Sequence, residues 1–233
     1  YNPGPHLTTG QTYMANLSET ERTRIRRAPT RSSDDAQELY RLLDEAYVCH
    51  VGFVSDGSPV VIPTLGWRVD DDIVFHGSRG SRMLKIIKAG GAVCVTFTLL
   101  DGLVMARSPF HHSANYRSAV IFGQPIVIED RDEKLAALEV FMENIAPGRW
   151  DLLRETNKQE IEATDVLRLP LTEASLKIRA GDPIDDEEDL GHPIWAGVIP
   201  IHRQFGPTVD SKDNLPDQNP DDFSQVFKDA WTP

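Results

Sequence analysis

No apolar run in this chain outlasts a strand. From residue 48 to residue 130 each stretch of β-branched and aromatic residues is cut by Gly, Pro or an Asp-rich turn. Short extended segments bury alternate residues, and turns such as "SDGS" and "VDDD" reverse the chain, so residues 48–55, 59–69 and 72–77 read as an antiparallel meander. "AVCVTFTLLDGLVMARS" reads as two strands about Asp101-Gly102. "RSAVIFGQPIVIED" reads as one long strand bent at Gly123 and Pro125. "ATDVLRLPLTEASLKIRA" and "PIWAGVIPI" supply the remaining strands. Ahead of the C-terminal tail, helical spacing appears in three places. In "SSDDAQELYRLLDEAYV", Leu39, Leu42, Leu43 and Ala46 recur on one face behind a cap at Ser33 or Asp34. "SRMLKIIKAG" is a short helix stopped by Gly90, and "RDEKLAALEVFMENIA" stops at Pro147-Gly148. Many short strands with few covering helices predict a mainly β fold with flanking helices, closed or nearly closed into a β-barrel.

At 233 residues with 40% hydrophobic content, the chain suits one domain with appended ends. The polar, locally basic stretch 1–32 reads as an N-terminal arm, residues 33–204 as the barrel domain, and 205–233 as an acidic C-terminal tail. In the tail, Phe223, Phe227 and Trp231 recur at fours, which predicts a short helix docked on the body or on a second subunit. A net charge of −12 argues against nucleic acid as a partner, because a polyanion is attracted by clustered Lys and Arg. No run is long enough to span a bilayer, and the N-terminus lacks the charged and apolar regions of a signal peptide. Two cysteines, Cys49 and Cys94, sit in apolar runs as small buried hydrophobes do. These readings place the protein in the cytoplasm.

The chemistry is concentrated in "FHGSRGSRMLKII", residues 75–87. A bound phosphate needs converging N–H donors and cations that fork onto its oxygens. Gly77 and Gly80 permit exposed backbone donors, Ser78 and Ser81 add hydroxyls, and Arg79 and Arg82 add guanidinium groups. The spacing is not that of a P-loop, so a nucleoside triphosphate site is disfavoured, and a plain polar turn remains the competing reading. His111-His112 are adjacent on the chain with no further ligand at a familiar spacing, so no metal site is expected.

Four segments in order, "VCHVGFVSDGSPVVIPT", "FHGSRGSRMLK", "VCVTFTLLDGLVMARSPFHHSANYRSAVIFG" and "HPIWAGVIPI", resemble the pyridoxamine 5′-phosphate oxidase-like flavin-binding split-barrel family, and within it the nitroimidazole-resistance-like branch. The resemblance implies an FMN-binding split β-barrel, a homodimer with FMN at the subunit interface, and an oxidoreductase that takes electrons from a reduced nicotinamide to a small molecule. Matched position by position, it implies that Ser81 and Arg82, with Gly77 and Ser78 nearby, hold the flavin phosphate. Met83 stands where the oxidases carry a lysine. The backbone of Val61, Ile62, Pro63 and Thr64 would border the isoalloxazine, and His76 would lie beside it as the catalytic group. Tyr116, Arg117 and Ser118 would reach the flavin from the partner subunit, and Trp195 would close the site. "WAGVIPI" lacks the arginine that the oxidases present to substrate phosphate, so pyridoxamine phosphate oxidation is not expected. A flavin- or haem-binding barrel without turnover, and a cofactor-free enzyme, are the alternatives.

Overall fold

In the computed structural model, residues 14–215 are described. In chain order the elements are β1 (Ser32–Ser33), α1 (Ala36–Glu45), β2 (Val48–Ser55), β3 (Ser58–Val69), β4 (Asp72–Ser78), α2 (Arg82–Lys88), β5 (Val93–Met105), β6 (Ser113–Gly123), β7 (Ile126–Val127), α3 (Arg131–Ile145), α4 (Lys158–Ala163), β8 (Thr164–Pro170), β9 (Ala174–Arg179) and β10 (Gly197–Pro200). The ladder runs β1-β9-β6-β5-β2-β3-β4-β8-β7, with β10 added beside β5, and the pairings are antiparallel. This is the mainly β architecture that the short runs imply and the split barrel that the resemblance implies.

The split is made by β3. Its first part pairs with β2 as far as Leu65, and its last part, from Gly66, pairs with β4. One strand therefore belongs to two sheets and turns the corner at Gly66. A Cβ there would stand 2.8 Å from Cys49 Sγ and 3.2 Å from Phe97 Cζ. Only glycine lets the backbone press this closely onto the core. The short turn from β8 to β9 closes the other side, because β8 pairs with β4 and β9 with β6.

The core between the sheets holds Leu39, Leu42 and Leu43 of α1, Val51 and Phe53 of β2, Phe75 of β4, Leu84 and Ile87 of α2, Phe97 of β5 and Leu167 of β8. A second, smaller cluster lies under α3: Trp67, Val74, Ile128, Ala137 and Val166, with Leu138 and Phe141 packed against it. Trp67 Nε1 donates to Ala137 O at 2.9 Å and fixes α3 to the sheet.

Some local expectations change. The cap of α1 is Asp35, whose side chain accepts from Gln37 N, rather than Ser33 or Asp34. The Asp101-Gly102 pair does not make a hairpin: β5 runs through it with a bulge between Leu100 and Gly102. The reason is β10, which lies so close that a Cβ on Gly102 would meet Val198 Cγ1 at 3.0 Å and Ile199 O at 3.1 Å. The glycine serves strand approach rather than a turn. From Met14 onward the N-terminal arm lies on the body: Asn16 bridges to Asp35, Arg22 pairs with Glu173, and Lys177 donates to Arg27 O. The helix expected around Phe223, Phe227 and Trp231 falls outside the described residues. Among the described residues no helix is long and apolar enough to cross a membrane.

Candidate functional site

Strand parity decides which candidates share a surface, since residues in register point to the same side of a sheet. On β3, Val61, Pro63 and Leu65 are exposed, while Ile62 packs against the main core and Thr64 is half-buried. Pro63 is in register with His50, and His50 with Thr96; Leu65 is in register with Val48. Thr98 pairs with Ser118, and Leu100 with Tyr116. Alternation from Val74, which pairs with Trp67, puts His76 on this outer side too. The outer face thus collects Val61, Pro63, Leu65, His76, Ser118 and Tyr116.

Arg117 is one residue out of phase and points to the other side. There Asp101 holds it at 2.8 Å, Glu45 also binds it, and Arg203 pairs with the same Glu45. These carboxylates raise the Arg117 pKa further above its already high ordinary value. Its charge is spent on joining α1, β5 and the stretch after β10.

His76 stands where the outer face meets α3. Its ring centroid is 5.6 Å from that of Trp67 and 5.9 Å from that of Phe141. Its Nδ1 is buried with no hydrogen-bond partner among the described residues. Burial holds its pKa below the ordinary histidine value, so the ring is neutral at neutral pH.

The loop after β4 divides its cations. Arg79 and Lys88 both turn to the buried carboxylate of Asp165, at 3.4 Å and 2.8 Å. Burial alone would raise the Asp165 pKa, but Lys88 and Arg79 outweigh it and leave the carboxyl below its usual range. Arg82 has no ion pair or hydrogen bond among the described residues. It is exposed and lines a shallow groove of about 590 Å3 with Val54, Ser55, Asp56, Ile86, Ala89, Gly90 and Gly91. Ser78 Oγ accepts from Gly80 N at 3.3 Å, and Ser81 makes no side-chain cap bond, so its hydroxyl is uncommitted to α2. Gly77 packs closely on Leu84. Met83 is buried in the main core, which leaves only its backbone to a ligand.

The candidates do not converge within one chain. Arg82 and Val54 lie at the end of the sheet where β5 begins, while Trp195 precedes β10, whose Gly197 pairs with Met105 where β5 ends. At about 3.3 Å per residue, Cys94 and Met105 are separated by roughly 35 Å. Trp195 is 63% exposed and folds back over its own Gly197. Two features escape a reading of the sequence. Asp165 carries no motif, and Asp56, in the "SDGS" turn, signals only a hairpin.

Against known proteins, the family model described as pyridoxamine 5′-phosphate oxidase matches residues 35–178. The chain belongs to the pyridoxamine 5′-phosphate oxidase family. The matched span of that family runs from the cap of α1 to β9 and includes every candidate except Trp195. Among solved structures, the flavocytochrome Anf3 from Azotobacter vinelandii is 40% identical, with 88% of this chain and 96% of that chain covered and a TM-score of 0.84. The FAD and heme binding protein from Mycobacterium smegmatis is 36% identical, covering 84% of this chain and 97% of that one, with a TM-score of 0.81. A protein described as a candidate 5-nitroimidazole antibiotic resistance protein, from Bacteroides thetaiotaomicron VPI-5482, shares the fold at 22% identity, with 63% and 86% coverage and a TM-score of 0.54. A search of curated proteins finds no match. Among the described residues no group of three His, Cys, Asp or Glu side chains is placed to hold a metal ion.

Proposed function

We propose that this protein is a flavin-dependent oxidoreductase that also binds haem and draws its electrons from a reduced nicotinamide. The observation that carries the reading is two groups uncommitted among the described residues: Arg82, a cation beside an open groove with no ion pair or hydrogen bond, and His76, an imidazole whose buried Nδ1 has no partner. The two similar proteins of 40% and 36% identity support it, one being a flavocytochrome and the other an FAD and heme binding protein.

The residues fit both groups. Arg82 supplies a forked cation for a flavin phosphate and the Ser81 hydroxyl adds a donor, while the N–H groups of Arg79, Gly80 and Ser81 are taken by Ala163 O, Ser78 Oγ and Ser78 O. The outer edge of β3 from Val61 to Thr64 offers an extended backbone along which a flat ring lies, and Pro63 leaves an acceptor there without a donor. With Nδ1 buried, the Nε2 of this neutral imidazole is the nitrogen that would hold a haem iron, and Trp67 and Phe141 pack against the ring and fix it. When bound, the flavin supplies hydride acceptance and the haem one-electron chemistry. The chain holds each group, fixes the His76 ring by packing and shields its Nδ1 from water.

The site needs a second copy of the chain. Val48, Val61, Leu65, Leu100, Leu103 and Ile199 are exposed together on the outer face, an apolar area that a homodimer would cover. Pairing would also bring the partner subunit's outer strands over a ligand seated on β3. The free thiols of Cys49 and Cys94 suit a reducing compartment, and we place the protein in the cytoplasm.

The test is the visible spectrum of the purified full chain, followed by addition of a reduced nicotinamide. Flavin bands with a Soret band that shifts on reduction support the proposal. Flavin bands without a Soret band, in protein supplied with haem, restrict it to a simple FMN or FAD oxidoreductase, in which His76 returns to the role of proton donor. A protein that binds neither group refutes it.

A further inference from the structure

With His76 assigned to iron, the flavin chemistry lacks a proton donor. A hydride that passes from the reduced nicotinamide through the flavin to a quinone converts it only halfway: one quinone oxygen receives the hydride, and the other needs a proton before the hydroquinone is complete. The donor has to stand on the outer face, the side on which Val61 and Pro63 are exposed.

Most polar groups of that face are unsuited to the role. Lys177 is in register with Ser118, and its Nζ is held by Arg27 O at 2.9 Å. Cys94 is in register with Gly52, and burial raises its pKa, so the thiol keeps its proton at neutral pH. Tyr116 carries a phenol, a weaker acid than an imidazolium. Arg179, in register with Tyr116, is buried and bonded to Asn115 and to Asp182 O, and a guanidinium gives up no proton in a protein. His50 is different. It projects outward from the middle of β2, between the buried Cys49 and Val51, and it has no side-chain hydrogen bond or ion pair among the described residues. Imidazole is the side chain whose charge ordinarily changes around neutral pH.

His50 also lies where the ring is expected. Its register partners are Pro63 of β3 and Thr96 of β5. Neighbouring strands stand about 4.8 Å apart, so a ring lying along β3 from Val61 to Thr64 is within reach of the imidazole. No charged side chain faces it: the same side carries Val61, Pro63 and Leu65 on β3, and Cys94, Thr96 and Thr98 on β5. Gly52, the next residue on that side of β2, adds no side chain. It leaves a gap beside His50 bounded by Val61 Cγ2 and Cys94 Cβ, each 3.9 Å from where a Cβ on Gly52 would stand.

We propose that His50 is the catalytic proton donor of the flavin site. Its imidazolium gives an N–H proton to the second quinone oxygen, an O–H bond forms as the N–H bond breaks, and solvent restores the proton. The assignment rests on the flavin and haem reading above and gives that site a substrate class: two-electron acceptors, such as quinones, that take up a proton as they are reduced.

The experiment follows oxidation of a reduced nicotinamide by the FAD-loaded full chain with two acceptors, benzoquinone, which takes up protons, and ferricyanide, which takes electrons alone. His50→Gln should lower quinone turnover relative to ferricyanide turnover about 100-fold, the usual worth of general acid catalysis. It should also remove the fall in quinone kcat that the wild type shows as pH rises through the histidine range. A second readout needs no turnover: the His50 imidazole resonances, assigned in NMR by their absence from the variant, should move when FAD is added to the full chain freed of flavin. An unchanged ratio of quinone to ferricyanide turnover, or resonances that stay in place, overturns the assignment and leaves the flavin reading intact. Loss of the Soret band in His50→Gln gives the residue to the iron, loss of the flavin bands gives it to flavin binding, and either result overturns the donor role. A wild type that takes up no flavin refutes the flavin reading itself and the donor role with it.

Discussion

Arg79 and Arg82 stand three residues apart in one turn, yet a single buried carboxylate separates their fates. Asp165 draws in Arg79 and Lys88, and Arg82 is left facing the groove. Arg82→Ala should therefore weaken flavin binding about 10- to 100-fold, the worth of one or two charge-assisted hydrogen bonds, in a fluorescence titration. Unchanged affinity would remove the phosphate assignment. His76→Ala should abolish the Soret band and leave the flavin bands in place. The same residue sets a pH dependence whose direction follows from its lowered pKa. The unfolded chain takes up the proton first, so stability contributed by the neutral ring is complete above the ordinary histidine value and declines as pH falls through roughly 6.5. In urea titrations of the apoprotein, His76→Gln should flatten that decline. A sequence shows which residues are present in such a turn, and "FHGSRGSRM" gathers the candidate donors and cations in one stretch. It cannot show which cation is already paired, because Asp165 is 83 residues beyond Arg82 and carries no local signal. Arg117 is hidden for a related reason: its neighbours Tyr116 and Ser118 face outward, and it points to the other side, where it meets Glu45 at the end of α1.

At the scale of elements, β3 and α2 position the site. The double membership of β3 depends on Gly66, so Gly66→Ala should destabilise the fold by about 1–3 kcal/mol through overpacking against Cys49 and Phe97. Cys49→Ala in the same chain should recover part of the loss, since it removes the nearest atom; chemical denaturation of the single and double variants measures this. Helix α2 is clamped to β8 through Lys88 and Asp165. Asp165→Asn should cost about 2 kcal/mol, because it leaves Lys88 partly buried beside a neutral group. The carboxyl pKa is depressed in the folded state, so the stabilisation is present above the ordinary aspartate value and is lost as pH falls through the lower folded value. The wild-type advantage over Asp165→Asn should accordingly shrink below about pH 4. Element positions were largely legible, because β2, β3, β4 and α3 follow alternation, turn residues and helical spacing. The Asp101-Gly102 hairpin was not. Its local turn preference is real, but the pairing of β10 along β5 outweighs it, and no short-range pattern reports a strand that arrives almost a hundred residues later.

At the scale of the whole molecule, the described strands close into a barrel within one chain, while the candidate site residues do not converge there. Among the described residues Val61, Pro63 and Leu65 of the outer face are exposed, His76 lies at its margin against α3, and Trp195 lies at the far end of β5. We expect a homodimer in solution whose interface includes this face. Leu65→Asp should shift the protein toward monomer in light scattering and release flavin in parallel; a variant that stays dimeric and fully flavinated would place the interface elsewhere. The mainly β architecture followed from run lengths and turns alone, whereas the choice between FMN, FAD and haem turns on contacts among distant strands. The measurement that bears most directly on the account is the absorbance spectrum of the full chain purified from cells supplied with riboflavin and a haem precursor. The account requires flavin bands and a Soret band in one protein, with the Soret band lost in His76→Ala and the flavin bands diminished in Arg82→Ala. A colourless protein that gains neither set of bands on addition of FAD and haem would contradict it.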